Sequence, residues 1–349
     1  VTPSEPAPTG SLTLDAPAKL NLGLRITGRR ADGYHTLESL FVPVEWCDRV
    51  TVEVRPGGGP SVVLELTGER GGAVPGDDRN LAARAARAYL EAAGASARVR
   101  VRLEKRLPAA AGLGGGSSDA GAVLRALDRL GGRAVPQGRL AELALGLGAD
   151  VPYFLDPRPA LVSGIGERIE PLAGLPGFWC VLANPGISLA TADVYAAWDR
   201  SAAALTPTEA GSTMRSLSRL LDARDLSREP LPESLSSVSG ISTLLGEILV
   251  NDLEAAAGEL CPGVRDWQER LRGQGALATG MSGSGATVFG VFANETRARR
   301  AEDRLSGGGE VRRSASSGAT SSTSSITSSI EGVGAWVRVA RTVGSAPAA

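Results

Sequence analysis

Histidine is nearly absent from this chain: His35 is the only one in 349 residues. Cysteine is scarce as well. Cys47, Cys180 and Cys261 stand far apart, with no Cys-x-x-Cys spacing. These scarcities exclude a disulfide framework and a zinc site of paired cysteines and histidines, and they predict a reducing compartment. An excess of either charge is also missing. Lys plus Arg number 37 and Asp plus Glu number 38, a formal charge of −1, so no overall basic field draws in nucleic acid or an anionic membrane. No apolar run is long enough to span a bilayer, and residues 1–10 lack the apolar core of a signal peptide. The expectation is a cytoplasmic protein with a small-molecule substrate and no nucleic-acid or membrane partner, acting as a monomer or weak homodimer. Any polyanionic substrate needs a local site.

Glycine, by contrast, is plentiful, and its placement is informative. Pro108-Ala109-Ala110-Ala111-Gly112-Leu113-Gly114-Gly115-Gly116-Ser117-Ser118 leads straight into a helical run at 118–130. Glycines leave the backbone bare, so successive N–H groups can converge on an anion. The helix adds unpaired N–H groups and the positive end of its dipole. Ser117 or Ser118 can cap that helix, or turn a hydroxyl to a phosphate oxygen or to Mg²⁺. No lysine follows the glycines, so this is not a Walker A loop. Nor does an acidic residue end a second strand about 20 residues on, as a dinucleotide fingerprint requires.

Residues 1–10 read as a disordered lead-in. Strand patterns cover 11–27 with a break near Pro17, then 49–55, 61–67 and 98–104; a Gly/Pro turn at 56–60 joins the second and third. Helices are expected at 78–93, 118–130, 137–146, 191–198, 251–258, 264–272 and 294–305. Further strands fall at 178–184, on both sides of a glycine turn within 275–292, and at 334–342. Residues 201–240 have weak periodicity, and the Ser/Thr/Gly tract at 307–329 is too polar to order itself, so both read as insertions. Strands and helices mix without a regular βα repeat, which predicts an α+β fold.

Several side chains suggest chemistry. Lys19 and Asn21 lie two apart on a strand and so share a face. A lysine buried there needs a partner, and Asp150, in Gly148-Ala149-Asp150-Val151-Pro152 between a helix end and an apolar segment, can supply one. Such a carboxylate is either a turn residue or a general base. Tyr34, His35 and Phe41 lie close together and could form a flat, hydrogen-bonding slot for a base. Thr191 and Tyr195 are either a helix cap and core filler or a second wall of that slot. A second glycine turn, Gly280-Met281-Ser282-Gly283-Ser284-Gly285, would let backbone approach the first loop.

The order Pro-x-x-x-Gly-Leu-Gly-x-x-Ser-Ser at 108–118 resembles the phosphate loop of the GHMP kinases. Pro17-Ala18-Lys19-Leu20-Asn21-Leu22 followed by Arg30-Ala31-Asp32-Gly33-Tyr34-His35 is similar to one branch, the 4-diphosphocytidyl-2-C-methyl-D-erythritol kinases of the non-mevalonate isoprenoid pathway. The resemblance covers about 12–199 and 250–292. It implies two domains, 1–168 like ribosomal protein S5 domain 2 and 169–349 ferredoxin-like, with the site between them. It also implies ATP and Mg²⁺, with Asp150 and Lys19 as the catalytic pair. ATP would meet Pro108, Gly112, Leu113, Gly114, Gly115, Gly116, Ser117 and Ser118, with Lys105 and Asn80 near the adenosine. The acceptor would meet Asn21, Tyr34, His35, Phe41, Thr191, Tyr195, Gly283 and Ser284. No acidic pair identifies metal ligands. Ala109, Ala110 and Ala111 depart from a pattern often occupied by glycine, and alanine resists positive φ. Other readings are a superfamily kinase for homoserine, mevalonate or a sugar, and a non-catalytic nucleotide sensor.

Overall fold

The computed structural model describes residues 9–57, 59–172, 175, 177–201, 245, 248–307 and 334–344. Apart from residues 201 and 307, the insertions predicted at 201–240 and 307–329 lie outside these. The first sheet has six strands: β1 (Gly10–Arg29), β2 (His35–Pro56), β3 (Ser61–Thr67), β4 (Ala97–Glu104), β5 (Ala160–Gly164) and β6 (Arg168–Pro171). Its order is β3-β4-β2-β5-β6, with β1 antiparallel to β2. β1 starts at the last residue of the predicted lead-in, and the break near Pro17 is a register shift within one continuous strand. The turn at 56–60 does not make a hairpin. β3 pairs in parallel with β4, which lies between it and β2.

β4 alternates buried and exposed residues along its length, with Val99, Val101 and Leu103 inward and Arg98, Arg100 and Arg102 outward. On the inner face lie α1 (Leu81–Ala92), α2 (Gly115–Leu130) and α3 (Gln137–Leu147), which pack Tyr89, Leu90, Val123, Leu124 and Leu127 into one cluster with those strand residues. Each such aliphatic or aromatic side chain contributes about 1.5–3 kcal/mol on burial. β1 behaves differently along its length. It alternates over its first residues, then is almost wholly buried from Ala16 to Leu24. That stretch is covered on its second face by the other half of the molecule.

The other half carries β7 (Trp179–Asn184), β8 (Ala278–Met281), β9 (Val288–Phe292) and β10 (Trp336–Arg341). The helices are α4 (Thr191–Ser201), α5 (Glu254–Leu260), α6 (Gly263–Gly273) and α7 (Glu295–Gly307). All three strand pairings are antiparallel, and the order is β10-β7-β9-β8. With helices between β7 and β8 and between β9 and β10, this is the ferredoxin-like βαββαβ arrangement. The α+β expectation holds. The boundary at 168/169 does not, because β6 pairs with β5 and carries the first sheet on to Pro171.

The halves are stitched by backbone. Leu24 N–H donates to Val250 O at 2.9 Å, Asp252 N–H donates to Leu24 O at 2.9 Å, and Val343 N–H donates to Pro43 O at 2.8 Å. Leu20, Leu22, Leu182, Phe289 and Val291 share one buried cluster across the seam. Among the described residues, no helix is long and apolar enough to cross a membrane.

Candidate active site

The glycine loop connects β4 to α2. Gly112 (φ 72°) and Gly114 (φ 70°) both take the left-handed conformation. Ala110 does so too, at φ 50°, so the alanines do not prevent positive φ; the conformation costs a residue with a Cβ about 1–2 kcal/mol. A Cβ on Gly112 would lie 2.6 Å from Ser282 O and 3.0 Å from Gly285 O. The loop therefore packs its backbone against the backbone of the second glycine turn. α2 begins at Gly115 behind Gly114, with no side-chain cap. Ser117 and Ser118 thus lie in its first turn and do not cap it. The uncapped N–H groups stay available to an anion.

A cavity of about 340 Å³ lies over this loop, lined by Pro108, Gly112, Gly114, Gly115, Gly116 and Ser117, and by Asn80 and Lys105 at its side. Leu113 and Ser118 do not line it. Leu113 is buried and accepts the Lys19 N–H at 2.9 Å through its carbonyl, while Ser118 Oγ is buried without a partner. Asn80 caps α1, accepting Ala82 N–H at 2.9 Å and donating to Pro75 O at 2.8 Å. Lys105 is equally engaged. Its ammonium donates to Asp119 Oδ2 at 2.7 Å and to Asp48 Oδ2. Asp48 Oδ1 in turn accepts Arg106 N–H at 2.6 Å and Leu107 N–H at 2.8 Å. One lysine thus ties the loop's entry to the first turn of α2. Burial pushes the Asp119 carboxyl up to about 8 against the pull of Lys105.

Strand parity brings Lys19 and Asn21 together. Lys19 Nζ donates to Asn21 Oδ1, lies 3.6 Å from Asp150 Oδ2 and sits 4.7 Å over the Phe41 ring. Burial lowers the Lys19 pKa, and the attraction of Asp150 opposes that without overcoming it. Asp150 follows α3 and precedes a 3-10 turn at Pro152–Leu155. Its side chain is 33% exposed against 5% for Lys19, so the carboxylate is the member of the pair open to a ligand. Both line a second cavity of about 680 Å³. Gly112 and Gly114 line both cavities and form their shared wall.

Also lining the larger cavity, His35 stacks on Tyr195, centroids 4.9 Å apart and planes at 20°, and meets the Trp198 edge at 5.4 Å. Burial, followed by the nearby Asp150, pushes the Tyr195 phenol up to about 12. Tyr34 is 64% exposed at the cavity rim. Phe41 does not join this stack. It lies under Lys19 and edge-on to Tyr153 at 5.1 Å, so it backs the Lys19–Asp150 pair instead. Thr191 Oγ1 lies 3.0 Å from Ser284 Oγ, which ties α4 to the second glycine turn. Gly283 and Ser284 both line the cavity.

Three side-chain roles escaped the sequence reading. Asn251 Nδ2 donates to Met281 O at 2.9 Å and Gly283 O at 2.8 Å, holding the second turn in shape. Ser282 Oγ donates to Gly112 O at 3.1 Å and joins the two glycine turns. Asp199 Oδ1 lies 2.7 Å from His35 Nε2. A signal existed for Asp199: it is four residues beyond Tyr195, on the same helix face. Asn251 was hidden by its placement at a predicted helix start; α5 begins at Glu254 and leaves the Asn251 side chain free for the turn. Among the described residues, no group of three or more His, Cys, Asp or Glu could hold a metal ion.

Comparison with known proteins identifies the family. The family model of the GHMP kinases N terminal domain matches residues 80–156, and that of the GHMP kinases C terminal matches 233–310. The 4-diphosphocytidyl-2-C-methyl-D-erythritol kinase of Rhizobium etli is 41% identical over 299 residues, 85% of this chain and 91% of that protein. A crystal structure of 4-(cytidine 5'-diphospho)-2C-methyl-D-erythritol kinase superposes with a TM-score of 0.67 at 35% identity, covering 95% of this chain and 100% of that one. Homoserine kinase from Cytophaga hutchinsonii shares the fold, with a TM-score of 0.63 at 18% identity over 96% of this chain and 95% of that one.

Proposed function

The chain belongs to the 4-diphosphocytidyl-2-C-methyl-D-erythritol kinases of the GHMP kinase superfamily, and from that premise we propose how its residues divide the work. The reaction transfers the γ-phosphoryl of ATP to the 2-hydroxyl of 4-diphosphocytidyl-2-C-methyl-D-erythritol, a step toward isoprenoid precursors. The observation that carries the assignment is the wall of Gly112 and Gly114 between the two cavities, with Lys19 and Asp150 beside it. Nucleotide phosphates bound over the loop would end next to a hydroxyl bound against Asp150. Asp150 takes the hydroxyl proton. Lys19 holds the carboxylate in place and offsets charge at the transferring group.

Mg²⁺ bound with a nucleotide needs only one or two protein oxygens beside the phosphates. The first turn of α2 offers hard oxygens that fit: Ser117 lines the cavity, and Asp119 Oδ1 is buried without a partner. These two residues would hold the ion, which supplies neutralisation of phosphate charge. At the other end Tyr34, His35 and Tyr195 form the slot for the cytosine, and Thr191, Gly283 and Ser284 bound the space between base and hydroxyl. Lys105 and Asn80 shape the wall of the nucleotide cavity.

The direct test is ADP release from the full chain with ATP and each acceptor in turn. The cytidine-bearing substrate should be turned over fastest; faster turnover of homoserine, mevalonate or galactose overturns the assignment. Tyr195→Ala should raise the acceptor KM about 5- to 150-fold, the worth of one stacking partner, and leave the ATP KM unchanged. A matched rise in both constants would count against the slot. The pH profile tests Lys19. It works as a cation, so kcat falls as pH rises through its pKa, and burial sets that fall below the usual lysine value of about 10.4. A kcat that holds constant past pH 10.4 would reject this role.

A further inference from the structure

Asp199 takes no part in the phosphoryl transfer described above, yet it holds the one histidine of the chain. We infer that Asp199 sets the choice of pyrimidine, by fixing which nitrogen of His35 carries the proton. The inference rests on reading this end of the cavity as the base slot. Asp199 Oδ1 lies 2.7 Å from His35 Nε2, and Asp199 Oδ2 lies 3.6 Å from Arg29 Nη1. An ionised carboxylate only accepts hydrogen bonds, so Nε2 must carry the hydrogen. In the neutral ring that leaves Nδ1 as a bare acceptor. Nδ1 makes no hydrogen bond among the described residues, and the ring lines the cavity.

The ring is also held against rotation. Tyr195 stacks on one face and Trp198 meets it edge-on. Tyr195, Trp198 and Asp199 are related as i, i+3 and i+4 along α4, so one helix face presents the stack, the edge and the carboxylate to one imidazole. Turning the ring to exchange its nitrogens would break the bond to Asp199.

The consequence is chemical. Cytosine carries an amino group at its 4-position, a donor; uracil carries a carbonyl there, an acceptor. A bare Nδ1 accepts from the amino group and meets the carbonyl lone pair to lone pair. Asp199 also lines the cavity, but its carboxylate is engaged by His35 Nε2 and faces Arg29, so its effect on the base runs through the imidazole. It is a positioning residue that works through His35. If it merely braced α4 against β1 and β2, its loss would weaken binding of both pyrimidines alike.

The full chain, saturated with a non-hydrolysable ATP analogue so that the nucleotide cavity is filled, is titrated calorimetrically with CDP and with UDP. The wild type should bind CDP at least about tenfold more tightly. Asp199→Ala should lower CDP affinity about tenfold and bring the CDP-to-UDP ratio close to one. Asp199→Asn, whose amide oxygen can still accept from Nε2–H, should keep most of the preference. The affinity for the ATP analogue should be the same in all three, which confirms that each variant is folded. An unchanged ratio in Asp199→Ala, or an equal loss for both nucleotides, overturns the inference. Failure of the wild type to bind either nucleotide overturns the base slot itself and this inference with it, a result separate from a preserved ratio in the variant.

Discussion

Asparagine at position 150 should lower kcat by about 10²–10⁴, the usual span for removing a general base. The amide keeps the shape of the carboxylate but cannot take the hydroxyl proton. Lys19 keeps its bond to Asn21, so the wall of the cavity stays in place. It loses its charge partner at 3.6 Å, however, and a buried ammonium without that partner holds its proton less well. The remaining turnover reflects the phosphate loop and Lys19, since most of the gain in phosphoryl transfer comes from positioning and charge stabilisation. Affinity for ATP should be almost unaffected, because Asp150 lines the larger cavity and not the cavity over the loop. Single-turnover kinetics with titration of a fluorescent ATP analogue measure both quantities. Near-wild-type turnover in Asp150→Asn would remove the residue from its role.

Valine at position 114 should abolish nucleotide binding. Gly114 sits at φ 70°, where a β-branched residue is a genuine outlier. Space is also lacking. A Cβ there would lie 2.9 and 3.0 Å from the Phe154 ring and 3.1 Å from Lys19 Cγ. Phe154 is fully buried, and its ring has no room to retreat. The loop must therefore shift, and the start of α2 and the Lys19 side chain shift with it. Backbone strain and overpacking together amount to about 2–5 kcal/mol, which the phosphate-binding geometry cannot absorb. Circular dichroism separates loss of the site from loss of the fold. A folded Gly114→Val protein that still binds the ATP analogue would show the loop to be a mere connector.

The features legible in the sequence are local or periodic. The parity of Lys19 and Asn21, the inward face of β4 and the glycine run before α2 all follow from spacing along one element. The lysine–aspartate contact was legible because a buried cation demands a partner. What escaped depends on partners far away in the chain. β2 begins at His35, well before the predicted Arg49, because its first half pairs on both edges, with β1 and with β5, and is too buried to alternate. β5 and β6 are short, and the Gly164–Glu167 turn between them gives little pattern; the Glu167 carboxylate satisfies it by accepting Ile165 N–H at 2.6 Å. Phe41 was grouped with His35 by nearness in sequence, but along an extended strand six residues carry a side chain about 20 Å away. Asp199 meets His35 across 164 positions, which no spacing rule reaches.

The contact between the two glycine turns also bears on inheritance. Gly112 and the Ser282–Gly285 turn touch through main-chain atoms, and the Ser282 hydroxyl donates to Gly112 O. Main chain cannot be trimmed by substitution, so neither turn can accept bulk unless the other moves away. Across relatives the two stretches should therefore vary as one unit, although 170 positions separate Gly112 from Ser282. Chimaeras should obey the same constraint: joining the first half of one relative to the second half of another preserves the site only where both turns come from parents with the same backbone spacing.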